Sequence, residues 1–149
     1  MSKVDLVHFM INGTSLNGIS LNDPVKKVID TMGKPIETIG NKETGFFQYR
    51  NGLRYGYFEN EIDELAILFR PQKKYWYSVK NDLNEEIIIS GKTQIHQFIY
   101  MLKSTEVKFA CVDEKNLDKD TLMLKVNGAV YVFFDLYTGY LEKIFVARK

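Results

Sequence analysis

Residues 20–35, SLNDPVKKVIDTMGKP, are the best-marked stretch of the chain, and the reading of the fold works outward from them. Asp23 can cap a helix whose first position is Pro24, where a missing N–H costs nothing. Val25, Val28, Ile29 and Met32 then fall at i, i+3, i+4 and i+7, which makes one apolar stripe. Gly33 suits a left-handed position after the last turn, and Pro35 prevents continuation. Start, face and stop agree.

The same spacing returns in residues 89–104, ISGKTQIHQFIYMLKS, where Ser90 or Thr93 can cap and Ile95, Phe98, Ile99 and Leu102 form the stripe. Strand-like runs follow each helix. The first half reads GFFQYR-NG-LRYGYF, the loop ENEID, then ELAILF; the second reads TLMLKV-NG-AVYVFFD, the loop LYTGY, then LEKIFVA. Asn51-Gly52 and Asn127-Gly128 mark equivalent turns, because both central residues of a type I′ hairpin need positive φ. Aligned on these turns, Tyr55 falls on Tyr131, and Tyr57 on Phe133. Further strands are predicted near Ile36–Ile39 and Val107–Val112, and a connector, residues 70–86, in which Tyr75 to Val79 can add another. The predicted fold class is α+β. It comprises two tandem helix-plus-antiparallel-hairpin units, residues 1–74 and 75–149, in one compact domain. The helices are expected to pack on one face of a continuous or paired antiparallel sheet, leaving the other face open.

The pattern of residues 18–69, carried more loosely by 87–147, resembles the repeat of small β-lactamase-inhibitor-protein-like domains. It is also similar to outer-membrane assembly lipoproteins of the SmpA/OmlA type, in which a short strand leads into a helix ending in Gly-x-Pro, as in Gly33-Lys34-Pro35. The resemblance implies a class whose members mostly bind other proteins, and fold alone does not imply function.

Composition narrows the chemistry. The 149 residues are 45% hydrophobic and 13% aromatic, with 20 basic against 19 acidic side chains and a net charge of +1. That balance gives no global field for nucleic acid or an anionic membrane; the one short basic cluster is Arg70, Lys73 and Lys74. Cys111 is the only cysteine, so a disulfide within the chain and a cysteine-based zinc site are excluded, and its apolar neighbours suggest a buried thiol. His8, expected in a strand, and His96, expected to be solvated, have no partner at metal-ligand spacing. No nucleophile elbow or phosphate loop occurs. No catalytic residue, cofactor or metal is therefore assigned. The N-terminal residues lack a signal-peptide pattern, and no apolar run spans a bilayer, so the cytoplasm is the expected compartment.

Two clusters are candidates for partner binding. Glu59, Glu61, Asp63 and Glu64 put four carboxylates at a hairpin tip, which either steers a cationic protein partner or is simply a solvated turn. Tyr75, Trp76 and Tyr77 are the residue types that dominate binding hot spots, or else Trp76 plugs the junction between the halves. The function expected from these features is a protein-binding inhibitor, narrowly an immunity protein that occludes a cognate toxin. The alternative is a small-molecule-binding or enzymatic α+β domain with a pocket between helices and sheet.

Overall fold

Helix α1 (Leu6–Asn12) is set by one cap and one stripe. The Asp5 side chain accepts from the His8 backbone N–H at 2.9 Å, Leu6, Phe9 and Met10 are buried, and Gly13 ends the helix at φ 63°. His8 thus lies on a helix, and the strand expected for it is corrected. The computed structural model describes residues 4–112 and 120–148. A two-strand hairpin follows, β1 (Ser15–Leu16) and β2 (Ile19–Ser20), and then α2 (Val25–Met32). Four strands come next: β3 (Glu37–Gly40), β4 (Thr44–Gln48), β5 (Leu53–Phe58) and β6 (Glu61–Leu68). A separate hairpin, β7 (Tyr77–Lys80) and β8 (Glu86–Ile89), leads to α3 (Ile95–Ser104). The chain closes with β9 (Phe109–Cys111), β10 (Thr121–Val126), β11 (Val130–Asp135) and β12 (Leu141–Ala147).

Eight of these strands form one antiparallel sheet in the order β3-β4-β5-β6-β12-β11-β10-β9. Its centre is the β6–β12 pair, where Ile67 faces Ile144 and Leu65 faces Val146. One sheet face carries Tyr55, Leu65, Ile67, Ile144, Val132 and Phe134, all essentially inaccessible to water. The helices and the first hairpin cover it. Phe98 of α3 meets Phe134 edge-on at 5.5 Å, the Tyr55 hydroxyl donates to the Leu16 carbonyl at 3.1 Å, and the Tyr49 hydroxyl donates to Gly33 O, just past α2, at 2.8 Å.

The expected α+β arrangement of two tandem helix-plus-hairpin units is corrected. Among the described residues the chain is mostly β: one eight-stranded antiparallel sheet, two small hairpins and three α-helices of 7, 8 and 10 residues. Two physical differences separate the halves. First, the helix stripes are not equivalent, since α2 buries only Val28 and leaves Ile29 38% exposed, whereas α3 buries Phe98, Met101 and Leu102. Second, the Asn-Gly turns differ by one residue in register. Both turns have the required positive φ at Asn51, Gly52, Asn127 and Gly128. In the first turn the Tyr49 N–H donates to Leu53 O, one step in from the Gln48–Arg54 pair, so the additional loop residue is Arg50, before Asn51; in the second Val126 pairs with Val130, so it is Ala129, after Gly128. A one-residue offset turns every side chain of a strand to the opposite face. Tyr55 and Tyr57 therefore enter the core, while Tyr131 and Phe133 point the other way.

Cys111 also departs from expectation. It lies exposed on β9, the short edge strand, not in the core.

Candidate protein-binding face

The sheet face opposite the helices is built by the alternate residues of the same strands. Its side chains form a ladder across six strands. On β4 and β5 the Arg54 guanidinium lies 3.9 Å from the centre of the Phe46 ring, and its Nη2 donates to Glu64 Oε1 of β6 at 3.2 Å. Lys143 Nζ of β12 pairs with the same carboxylate oxygen at 3.2 Å and sits 4.2 Å over the Phe145 ring. Phe145 stacks on Tyr131 of β11 at 5.6 Å and meets Phe133 edge-on at 5.0 Å. Lys125 of β10 lies 5.5 Å from the Tyr131 ring centre. Cations and aromatic faces thus alternate along the ladder, each cation attracted by the ring quadrupole beneath it.

Electrostatics follow from the partial burial. Glu64 is one carboxylate shared by two cations, with all three side chains largely withdrawn from water. Burial holds the Lys143 ammonium below its ordinary value, opposed by Glu64 and reinforced by Arg54. Asp63 is the added residue of a β-bulge opposite Gly56 and Tyr57. Its carboxyl is pushed up, first by burial and then by Glu64, with Arg148 opposing. Gly56 makes this packing possible, since a Cβ there would lie 2.8 Å from Asp63 Oδ1 and 2.9 Å from Glu64 Cβ.

The four acidic residues do not share one tip. Glu59 sits in the β5–β6 turn with Asn60, both at positive φ, and the turn is tied down by the Val25 N–H donating to Asn60 O at 2.9 Å. Glu61 is held by Arg148 at 2.9 Å, and Glu64 belongs to the ladder. Glu59 forms no ion pair among the described residues. Alternation also splits the aromatic trio. The Tyr75 hydroxyl donates to Leu68 O, and Tyr77 is buried with its hydroxyl donating to Asn51 O at 2.6 Å. Trp76 between them is 60% exposed and plugs no junction. Trp76→Ala should change the free energy of unfolding by less than about 0.5 kcal/mol, as surface substitutions do; urea titration of the two proteins measures it.

The sequence places Arg54 and Gly56 on an exposed face of the first hairpin but does not single out Phe46, Lys143 or Phe145. The available signal was the pairing of Arg54 and Gly56 outward in the first half against Tyr131 and Phe133 in the second, visible only if the two hairpins are aligned by register. Among the described residues no group of three or more His, Cys, Asp or Glu side chains is arranged to hold a metal, and no helix is long and apolar enough to cross a membrane.

No known protein family matches the sequence, and neither does any curated protein. Among solved structures, the chain is similar to an extracellular protein containing an SCP domain from Bacillus anthracis str. Ames, with a TM-score of 0.45 and 8% identity over 87% of this chain and 44% of that one. The chain therefore spans less than half the length of that protein, and a likeness this distant carries no argument about activity.

Proposed function

We propose that the chain is a protein-binding inhibitor that docks a partner on the uncovered face of its eight-stranded sheet. The observation that carries this is the ladder itself. An antiparallel sheet with one face on the core ordinarily turns polar residues to water on the other. Here that face presents Phe46, Tyr131, Phe133 and Phe145, interleaved with Arg54, Lys143 and Lys125. Aromatic and arginine side chains supply the largest contact energy per residue at protein interfaces. The shared Glu64 carboxylate holds two of the cations in place before any partner arrives, which lowers the ordering cost of binding. Three cations against Glu64 favour a partner surface that brings carboxylates to the ladder.

The occupant is a folded protein, because the ladder crosses six strands and spreads its aromatic and cationic groups over that whole width. The narrower expectation of an immunity protein leaned on a tandem unit that the fold does not have. The broader one stands on the face. Co-expression with the products of the adjacent genes should yield a complex. Tyr131→Ala combined with Phe145→Ala should then weaken it at least about tenfold, with an unfolding midpoint close to that of the parent. Failure of any neighbour to bind, or equal binding by the double variant, would overturn the proposal.

A further inference from the structure

Arg70 and Lys73, two of the three residues in the one short basic cluster of the sequence, line a cleft at the β4–β5 turn. The turn brings Arg50 to the same cleft, and β5 brings Arg54. The cleft has a volume of about 390 Å³, and among the described residues Glu37 is the only carboxylate that lines it. Four cations thus converge against one anion. Arg54 has a partner in Glu64, but Arg50, Arg70 and Lys73 form no ion pair among the described residues, and the Arg54 Nε is buried with no hydrogen-bond partner.

The floor is rigid. Gly52 is buried at φ 77°, and a Cβ there would overlap the Leu68 carbonyl and lie 2.6 Å from Tyr75 Oη. The Tyr75 hydroxyl is itself fixed on that carbonyl, and the Tyr49 hydroxyl on Gly33 O. Apolar walls from Ile36, Leu68 and the two tyrosine rings surround the cationic groups. A cleft of this volume, apolar with a few convergent charges, has the character of a small-molecule site. Like charges gathered at one cleft repel, and the arrangement is relieved when a multiply charged anion enters. Guanidinium forks match the planar or trigonal oxygen pairs of carboxylate and phosphoryl groups.

We infer that this cleft binds a small organic oxyanion of at least two negative charges, with Arg50, Arg70 and Lys73 as its charge partners and the Tyr49 and Tyr75 rings against its apolar part. The cleft shares Arg54 with the partner-binding face at its margin, but Arg50, Arg70 and Lys73 lie outside the ladder, and the test does not depend on any protein partner. Amide chemical shifts of the full chain are followed while inorganic phosphate or citrate replaces chloride at constant ionic strength. Saturable shifts confined to residues 50–54 and 68–75 are expected. Saturation by phosphate alone assigns a phosphoryl ligand, by citrate alone a polycarboxylate, and by both the shared oxyanion chemistry. Arg50→Gln combined with Arg70→Gln should raise the midpoint of the titration at least about tenfold without moving the unfolding midpoint, since both side chains are exposed. Shifts that stay linear with concentration, that spread over the lysines generally, or that persist unchanged in the double variant would overturn the assignment.

Discussion

Gly52→Val is expected to lower the unfolding midpoint by about 8–16 °C, from a loss of about 4 kcal/mol in a chain of this size. Two costs combine. The residue sits at φ 77°, where a β-branched side chain is strained by about 1–3 kcal/mol. Its Cβ would also overlap the Leu68 carbonyl and crowd the Tyr75 hydroxyl that donates to it, so backbone must shift or that hydrogen bond must open; overpacking of this kind costs about 1–3 kcal/mol more. Gly128→Val is the internal control. Gly128 has nearly the same backbone angle, φ 74°, but nothing lies within 4 Å of a Cβ built there. It should lose only the strain, roughly half the effect. Thermal melts of the two variants side by side decide the matter. Equal losses would mean that the close approach of β6 to the turn contributes nothing.

The comparison of these two glycines also shows where sequence reading stops. Asn51-Gly52 and Asn127-Gly128 are recognisable as left-handed turns, and they are left-handed. What the dipeptide does not reveal is on which side of it the loop gains its third residue. Arg50 takes that place in one turn and Ala129 in the other, and the choice depends on how the following strand packs, which is a property of the assembled core. The consequence is large, because it turns Tyr131 and Phe133 onto the open face while Tyr55 and Tyr57 enter the core. The second-half part of the ladder was illegible for that reason. Its members were all in strands that the period-2 pattern identifies. Helix α1 was missed for a different reason: seven residues hold too few turns for periodicity to emerge, and Asp5 as a cap is evident only once the His8 N–H is seen to point at it. The α2 and α3 stripes were legible as helices, yet burial of Ile29 was not settled by its position on the stripe, since α2 buries Val28 alone. Of the candidate residues, Glu64 joins the ladder, while Tyr75 and Tyr77 were drawn inward by alternation in a segment whose strand character was anticipated.

Alkaline pH should unfold the protein cooperatively, through tyrosines that the core keeps neutral. Tyr55 is fully buried and Tyr77 nearly so. Burial, the largest cause, pushes both phenols well above the ordinary value of 10.0, and the neighbouring tyrosines push in the same direction. Each hydroxyl donates to a carbonyl, Tyr55 to Leu16 and Tyr77 to Asn51, a bond that ionisation would abolish. The sign follows from proton counts. Above pH 10 the unfolded chain releases these two protons while the folded chain retains them, so stability is complete below that pH and falls as pH rises through the gap between the two states. The slope is about 1.4 kcal/mol per pH unit for each group, or about 2.7 kcal/mol for both. Tyr49 and Tyr75, also raised by burial, steepen the fall further. Lysines titrate in the same range, so the decisive measurement is a difference. Urea unfolding of the parent and of Tyr55→Phe is compared at pH 8 and pH 11. At pH 8 the variant should be less stable by about 1 kcal/mol, for the lost hydrogen bond. At pH 11 it should have closed that gap or passed the parent, having one fewer proton to withhold. A gap of constant size at the two pH values would show that the Tyr55 phenol ionises as readily inside the protein as outside it, which is incompatible with its seat between Leu16 and the centre of the sheet.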